Sequence, residues 1–219
     1  MSRHKISNDE SVAASRGRLV VISAASGSGK TTLTQAAMAR IAGVTRSVTY
    51  TTRAPRPGEK DGRDYHFIPS AEFGRRRARG EFLEWAVVHG HLYGTSRRDV
   101  EALCQQGLDV FLVIDVQGAA SLRQQRVEAT YVFILPPSLK ELERRLRQRN
   151  SEDGATLQRR LANAHQEILQ YRLYDYVIVN DVLETATAQL QAIIVAERCR
   201  VDRLRRDLPI FAQLDGCRG

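Results

Sequence analysis

Four short apolar runs punctuate the chain. They are Leu19-Val20-Val21-Ile22, Val110-Phe111-Leu112-Val113-Ile114, Thr130 to Leu135, and Tyr176 to Val179. A continuous run, unlike an alternating one, suits a parallel strand covered on both faces. Between the runs lie stretches with helical spacing: Thr31 to Ile41, Arg97 to Gln106, Leu139 to Arg147, Thr156 to Tyr171 and Leu183 to Arg200. Leu139, Leu142 and Leu146 fall on one helical face. Strand and helix alternating in this rhythm predict an α/β fold with a parallel core sheet flanked by helices. No apolar run is long enough to cross a bilayer, so no membrane association is expected.

The rhythm breaks twice. From Val48 to about Gly94, long apolar runs give way to Gly, Pro, Arg and aromatic residues. That composition predicts an insert of short strands and turns, with one helix near Ser70 to Arg79. A second irregular stretch, Asn150 to Ala155, separates two charged helices. Inserts of this kind in an α/β core often carry ligand contacts.

The length of 219 residues predicts one domain. Hydrophobic residues at 42% and charged residues at 26% exclude a wholly disordered or fibrous chain. The net charge is +8, and among the basic residues only Lys5, Lys30, Lys60 and Lys140 are lysines. Such a balance points to nucleic acid or another anionic partner. The alternative is a preference for arginine spread over a solvated surface. Cys104, Cys199 and Cys217 are odd in number and lack C-x-x-C spacing. A disulfide framework and structural zinc are therefore not expected, and a cytoplasmic location is. Met1 to Arg16 is polar, without the apolar centre of a secretory signal. Residues 1–17 read as a disordered leader.

The sharpest local signal is Ser23-Ala24-Ala25-Ser26-Gly27-Ser28-Gly29-Lys30-Thr31-Thr32, placed after an expected strand and before an expected helix. This is the context of a phosphate-binding P-loop. Small residues let backbone N–H groups approach phosphate oxygens, and the helix N-terminus adds positive potential. Lys30 can reach the outer phosphates, and the Thr31 hydroxyl is placed to bind Mg²⁺. The strict motif begins with Gly, where this chain has Ala24.

The next segment is more specific: Thr51-Thr52-Arg53-Ala54-Pro55-Arg56-Pro57-Gly58-Glu59. It is followed by Asp64-Tyr65-His66-Phe67, Phe82-Leu83-Glu84-Trp85-Ala86 and Tyr93-Gly94-Thr95-Ser96. Ile114-Asp115-Val116-Gln117-Gly118, Ile134-Leu135-Pro136-Pro137-Ser138 and Val179-Asn180-Asp181 complete the series. In this order and spacing the chain resembles the guanylate kinases, over about residues 18 to 200. The resemblance implies transfer of the γ-phosphoryl group of ATP to GMP, giving ADP and GDP, with Mg²⁺ accompanying ATP. The fold it implies is a P-loop nucleoside monophosphate kinase. Residues 18–47, 96–137 and 161–219 would form the core, 48–95 a GMP-binding insert and 138–160 a lid.

Site roles follow from the resemblance, position by position. Ala24, Ala25, Ser26, Gly27, Ser28, Gly29, Lys30, Thr31 and Thr32 match the ATP loop, and Asn180 matches a residue near the adenine pocket. Arg53 and Arg56 match arginines on the GMP phosphate, and Tyr65 and Tyr93 match its phosphate-binding tyrosines. Glu84 matches the acid that reads guanine. Thr95 stands for a hydroxyl near guanine O6, and Thr49 replaces a serine near the GMP phosphate. Asp115 matches the second acid of a D-x-D, on the guanine amino group or the magnesium shell. Arg145, Arg149 and Arg160 match lid arginines that approach the ATP phosphates. Lys30, Arg53, Arg145, Arg149 and Arg160 are the expected catalytic set. Guanine offers N1–H and its 2-amino group side by side, and one carboxylate accepts both; adenine has no such pair.

Two departures stand out: Val113 where the family often has the first acid of that D-x-D, and Asn150 where it usually has Gly. A guanylate-kinase-like binding module and a P-loop kinase for another phosphorylated molecule are the competing readings. Lys30, Thr31, Arg53, Arg56, Glu84 and Asp115 together favour the enzyme. Arg75, Arg76, Arg77 and Arg79 read as a solvated face because no stacking aromatics interleave with them, so no nucleic-acid partner is expected. The basic segment Arg198 to Arg206 reads as surface or a subunit contact, which leaves a homodimer open.

Overall fold

The computed structural model describes residues 16–88, 90–149 and 154–203. The chain opens with β1 (Leu19–Ala24), α1 (Lys30–Met38) and β2 (Val44–Arg46). The insert follows as β3 (Tyr50–Thr51), β4 (His66–Phe67), α2 (Ser70–Ala78), β5 (Phe82–Val88) and β6 (His91–Ser96). The core resumes with α3 (Arg97–Gln105), β7 (Asp109–Val113), α4 (Val116–Gln124) and β8 (Thr130–Leu135). Helices α5 (Leu139–Arg149) and α6 (Gly154–Leu169), strand β9 (Tyr176–Val179) and helix α7 (Leu183–Arg198) complete it.

The core sheet has the order β2-β7-β1-β8-β9 and is parallel throughout. Its three inner strands, β7, β1 and β8, and the edge strand β9 are the four apolar runs of the sequence. Strand β1 is central and wholly buried. Its residues alternate between two faces, as a strand's period of two requires. Val20 and Ile22 join Leu33 and Ala37 of α1 and Leu190 and Ile194 of α7. Leu19 and Val21 join Val100 of α3 and Leu122 of α4. A strand sandwiched in this way must be apolar on both sides, which is why it reads as a run. Val113, at the end of β7, packs against the first of these clusters, so its apolar side chain has a packing role.

Two elements carry no such run. Strand β2 is three residues at the sheet edge, all only half-buried. Helix α4 begins in the Asp115-Val116-Gln117-Gly118 motif and is capped by Asp115. The insert is a second sheet of order β4-β3-β6-β5, matching the expected short strands. Phe73 of α2 stacks on Phe82 with ring centroids 4.4 Å apart, closing that sheet's small core. The insert is keyed to the main core through Leu83 of β5, which packs in the second cluster. Among the described residues, no helix is long and apolar enough to cross a membrane.

A third cluster lies under the phosphate loop. Leu142 and Leu146 of α5 and Ala164 of α6 are buried against Ala25. A Cβ on Gly27 would meet Leu146 Cδ2 at 3.0 Å and Leu142 Cδ1 at 3.1 Å. The charged helices thus form the floor on which the loop rests. Leu146→Ala would leave a cavity in that floor. We expect it to cost about 2–5 kcal/mol, read as a lower denaturant midpoint at unchanged slope.

Candidate active site at the phosphate loop

Between β1 and α1 the chain turns through Ala25 to Gly29, and the Ser28 N–H donates to the Ala25 carbonyl at 3.1 Å. Gly27 and Gly29 hold φ of 90° and 84°, the left-handed region that disfavours a side chain. Gly29 is required twice over, because a Cβ there would stand 2.4 Å from Asn180 Nδ2. Asn180 is buried and donates that Nδ2 to the Ser28 carbonyl at 2.8 Å. On the other side of the loop, the Ser26 N–H donates to Glu167 Oε2 at 3.0 Å. Ala24, the departure from the strict motif, lies inside β1 opposite Ile134. A strand position asks for no glycine conformation, so alanine fits.

Lys30 opens α1 and folds across to the end of β7, donating Nζ to the Ile114 carbonyl at 2.6 Å. Burial lowers its pKa from 10.5 to about 8, against the opposing charges of Asp115, Glu167 and Glu84. Thr31 and Thr32 follow on the first turn with exposed side chains. Asp115 lies directly after Ile114, and its Oδ1 accepts the Gly118 N–H at 2.9 Å.

Glu84 is 4% exposed on β5 and accepts the Thr95 hydroxyl at 2.6 Å on Oε1. Its other oxygen faces Gly118, where a Cβ would come within 2.6 Å of Oε2. The glycine after Asp115 is therefore the space into which this acid fits. Burial, with Asp115 nearby, raises the Glu84 pKa from 4.5 to about 7, partly offset by the Thr95 hydrogen bond.

The insert gathers a third group. Arg53 grips Glu59 with Nη2 at 2.8 and 2.9 Å and donates Nε to the Tyr93 hydroxyl at 3.3 Å. Its guanidinium lies over the Tyr65 ring, 5.3 Å from the centroid. The Arg53 hydrogen bond holds the Glu59 carboxyl below its usual pKa. Glu59 also accepts the Arg56 N–H at 2.8 Å, while Arg56 as a whole is exposed. Thr49 precedes β3, and its carbonyl accepts the His66 N–H at 2.9 Å.

Beside the loop, Arg145 of α5 donates to Glu141 at 2.7 Å and to the Asn180 carbonyl at 3.2 Å. Arg145, Asn180, Gly27 and Gly29 line a cleft of about 310 Å³. Asn180 therefore borders the space expected for the nucleotide, but its amide is committed to the loop. Arg160 sits half-buried on α6. The Arg149 side chain and Asn150 lie outside the described residues.

The arrangement is a backbone cradle for anions, with a half-buried cation at its base and a buried acid on its far side. A sequence profile of the guanylate kinases matches residues 16–197. The chain belongs to the guanylate kinase family. It is 48% identical over 196 residues to the guanylate kinase of Desulfotalea psychrophila, covering 89% of this chain and 97% of that one. It is 48% identical over 197 residues to that of Alkalilimnicola ehrlichii, covering 90% and 96%. The crystal structure of guanylate kinase from Anaplasma phagocytophilum superposes with a TM-score of 0.74 at 34% identity, covering 94% and 96%.

The fold thus brings Lys30, Asp115 and Glu84 into one electrostatic group, Thr95 to Glu84, and Tyr65 and Tyr93 to Arg53. It adds Glu59 and Glu167, to which the sequence reading gave no role. Glu59 ends the Thr-Thr-Arg segment and could have been suspected from that position; Glu167 had no local signal.

The raised Glu84 pKa has a stability consequence of definite sign. The fold favours the protonated acid, so stability is fully present below about pH 4.5 and is lost as pH rises towards 7. Glu84→Gln keeps the acceptor for Thr95 without the charge. We expect it to stabilise the nucleotide-free protein above pH 7 by up to about 3 kcal/mol, at 1.36 kcal/mol per pKa unit. The gain should vanish towards pH 4.5, as read by unfolding midpoints across that range.

Proposed function

We infer that the chain performs its family's reaction, passing the γ-phosphoryl group of ATP to GMP with the residues gathered at the phosphate loop and the insert. The observation that carries this reading is Glu84, a buried acid held by a hydroxyl and in electrostatic contact with the phosphate-loop lysine. A guanine-reading group and a phosphate-binding cation then belong to one site.

The reaction needs no protein base. The GMP phosphate, with a second pKa of about 6, is already largely dianionic at neutral pH, so its oxygen is the nucleophile. That oxygen attacks the γ-phosphorus, the bond to the β-bridging oxygen breaks, and ADP leaves. The protein's work is positioning and charge stabilisation. Loop amides and Lys30 would hold the ATP phosphates. Arg53, Arg56, Tyr65 and Tyr93, with Thr49 nearby, would hold the GMP phosphate. Glu84, Thr95 and Asp115 would read guanine. Arg145, Arg149 and Arg160 would add positive charge across the transferring group.

Mg²⁺ fits the donors present. The exposed Thr31 hydroxyl, with Asp115 acting electrostatically on the adjacent Lys30, suits a hard cation that keeps mostly water and phosphate ligands. Bound with ATP, it would neutralise charge on the phosphate oxygens. We assign residues 48–95 to a GMP-binding insert and 138–160 to a lid that excludes water on closing. Cys104 and Cys199, free thiols among the described residues, support a cytoplasmic location.

We expect Lys30→Met to abolish phosphoryl transfer at an unchanged circular dichroism spectrum; wild-type turnover would remove the loop from the mechanism. Glu84→Gln should raise KM for GMP about 10- to 100-fold, the worth of one charged hydrogen bond, and leave KM for ATP nearly constant. A coupled assay offering GMP, dGMP, AMP, CMP and UMP with ATP and Mg²⁺ tests the substrate directly. Equal use of AMP would mean that Glu84 does not read the base.

A further inference from the structure

The phosphate loop is gripped from outside at two backbone atoms. Asn180 holds the Ser28 carbonyl at 2.8 Å, and Glu167 holds the Ser26 N–H at 3.0 Å across 141 residues of sequence. Glu167 belongs to α6, whose Ala164 packs in the floor beneath Ala25. Arg160, Ala164 and Glu167 follow one another at helical spacing and share one face of α6. Glu167 is also one of the three acids whose charge acts on Lys30. A carboxylate so close to a phosphate cradle repels ATP, so any benefit it brings to catalysis must be geometric. Its bond to Ser26 is charge-assisted, stronger than one to a neutral acceptor.

We propose that Glu167 is a positioning residue for ATP. Its carboxylate fixes the Ser26 N–H and with it the curvature of residues 25–29, so that the loop amides converge on phosphate oxygens. It also ties the shape of the loop to the helix that carries Arg160. This rests on the reading of residues 24–32 as the ATP loop.

Glu167→Ala and Glu167→Gln in the full chain test it, with KM for ATP, KM for GMP, kcat and the unfolding midpoint measured together. The alanine variant should raise KM for ATP about tenfold, the loss of one hydrogen bond to a charged group, with KM for GMP within about twofold. The glutamine variant keeps an oxygen acceptor and should stay within about threefold of wild type. Four results overturn the proposal. They are an unchanged KM for ATP in the alanine variant, or equal rises for both nucleotides with a lowered midpoint. A glutamine variant as impaired as alanine would shift the effect to charge. Tighter ATP binding in both variants would make the carboxylate a competitor of phosphate. None of these touches the loop assignment, which stands or falls on Lys30→Met.

Discussion

One cation and one acid are withdrawn from water within the same site, and the empty protein holds both against their preference. Lys30 loses affinity for its proton and Glu84 gains affinity for one, each mainly through burial. For each, burial outweighs the opposing charges nearby. Lys30 rests on a backbone carbonyl, and Glu84 on the hydroxyl and backbone of Thr95. Partners of the right chemistry would relieve both: phosphate oxygens would restore the lysine's charge, and two adjacent N–H donors the carboxylate's. Destabilising the empty site in this way is a route to selectivity, because a ligand lacking either group leaves a buried charge unpaired.

Three glycines make room for that site, and each is required by a different neighbour. Gly27 lies against the leucines of α5, Gly29 against Asn180, and Gly118 against Glu84. Only the first two lie in the phosphate loop. The third belongs to a helix capped by Asp115, so one motif supplies both an acid and the space for another acid. Gly118→Ala would therefore displace Glu84 directly, though the two are 34 positions apart in sequence.

Legibility in the sequence followed how local the physical cause was. Strands covered on both faces announce themselves as apolar runs, and β1, β7 and β8 were readable for that reason; β9 is an apolar run at the sheet edge, with Val177 and Val179 exposed. Strand β2 is three half-buried residues at an edge and leaves no such trace. The phosphate loop was readable because backbone approach and positive φ constrain its residue types. Asn180 was readable as part of a motif, but not the act of its amide, which reaches Ser28 across 152 residues. Glu167 is a single acid on a polar helix, and nothing in its neighbourhood separates it from solvated ones. Long-range side-chain-to-backbone bonds of this kind depend on packing, and periodicity carries no record of them.

The net charge of +8 raised the question of a polymer partner, and the pairing of the arginines bears on it. Arg53 is held by Glu59 and Arg145 by Glu141, while Arg75, Arg144 and Arg147 pair along their own helices. The helix pairs are exposed, screened and worth little. Arg53 differs: it lies against the neighbouring rings of Tyr65 and Phe67 and is half-buried, so its guanidinium is already oriented and partly dehydrated. A phosphate arriving there would exchange with a carboxylate instead of stripping a free cation of water. It brings up to two negative charges where Glu59 offers one, and a geometry equally suited to the guanidinium fork. Positive charge arranged as a few preoriented forks, each guarded by an acid, suits small phosphates. A polymer backbone would ask for a continuous row of unguarded cations instead.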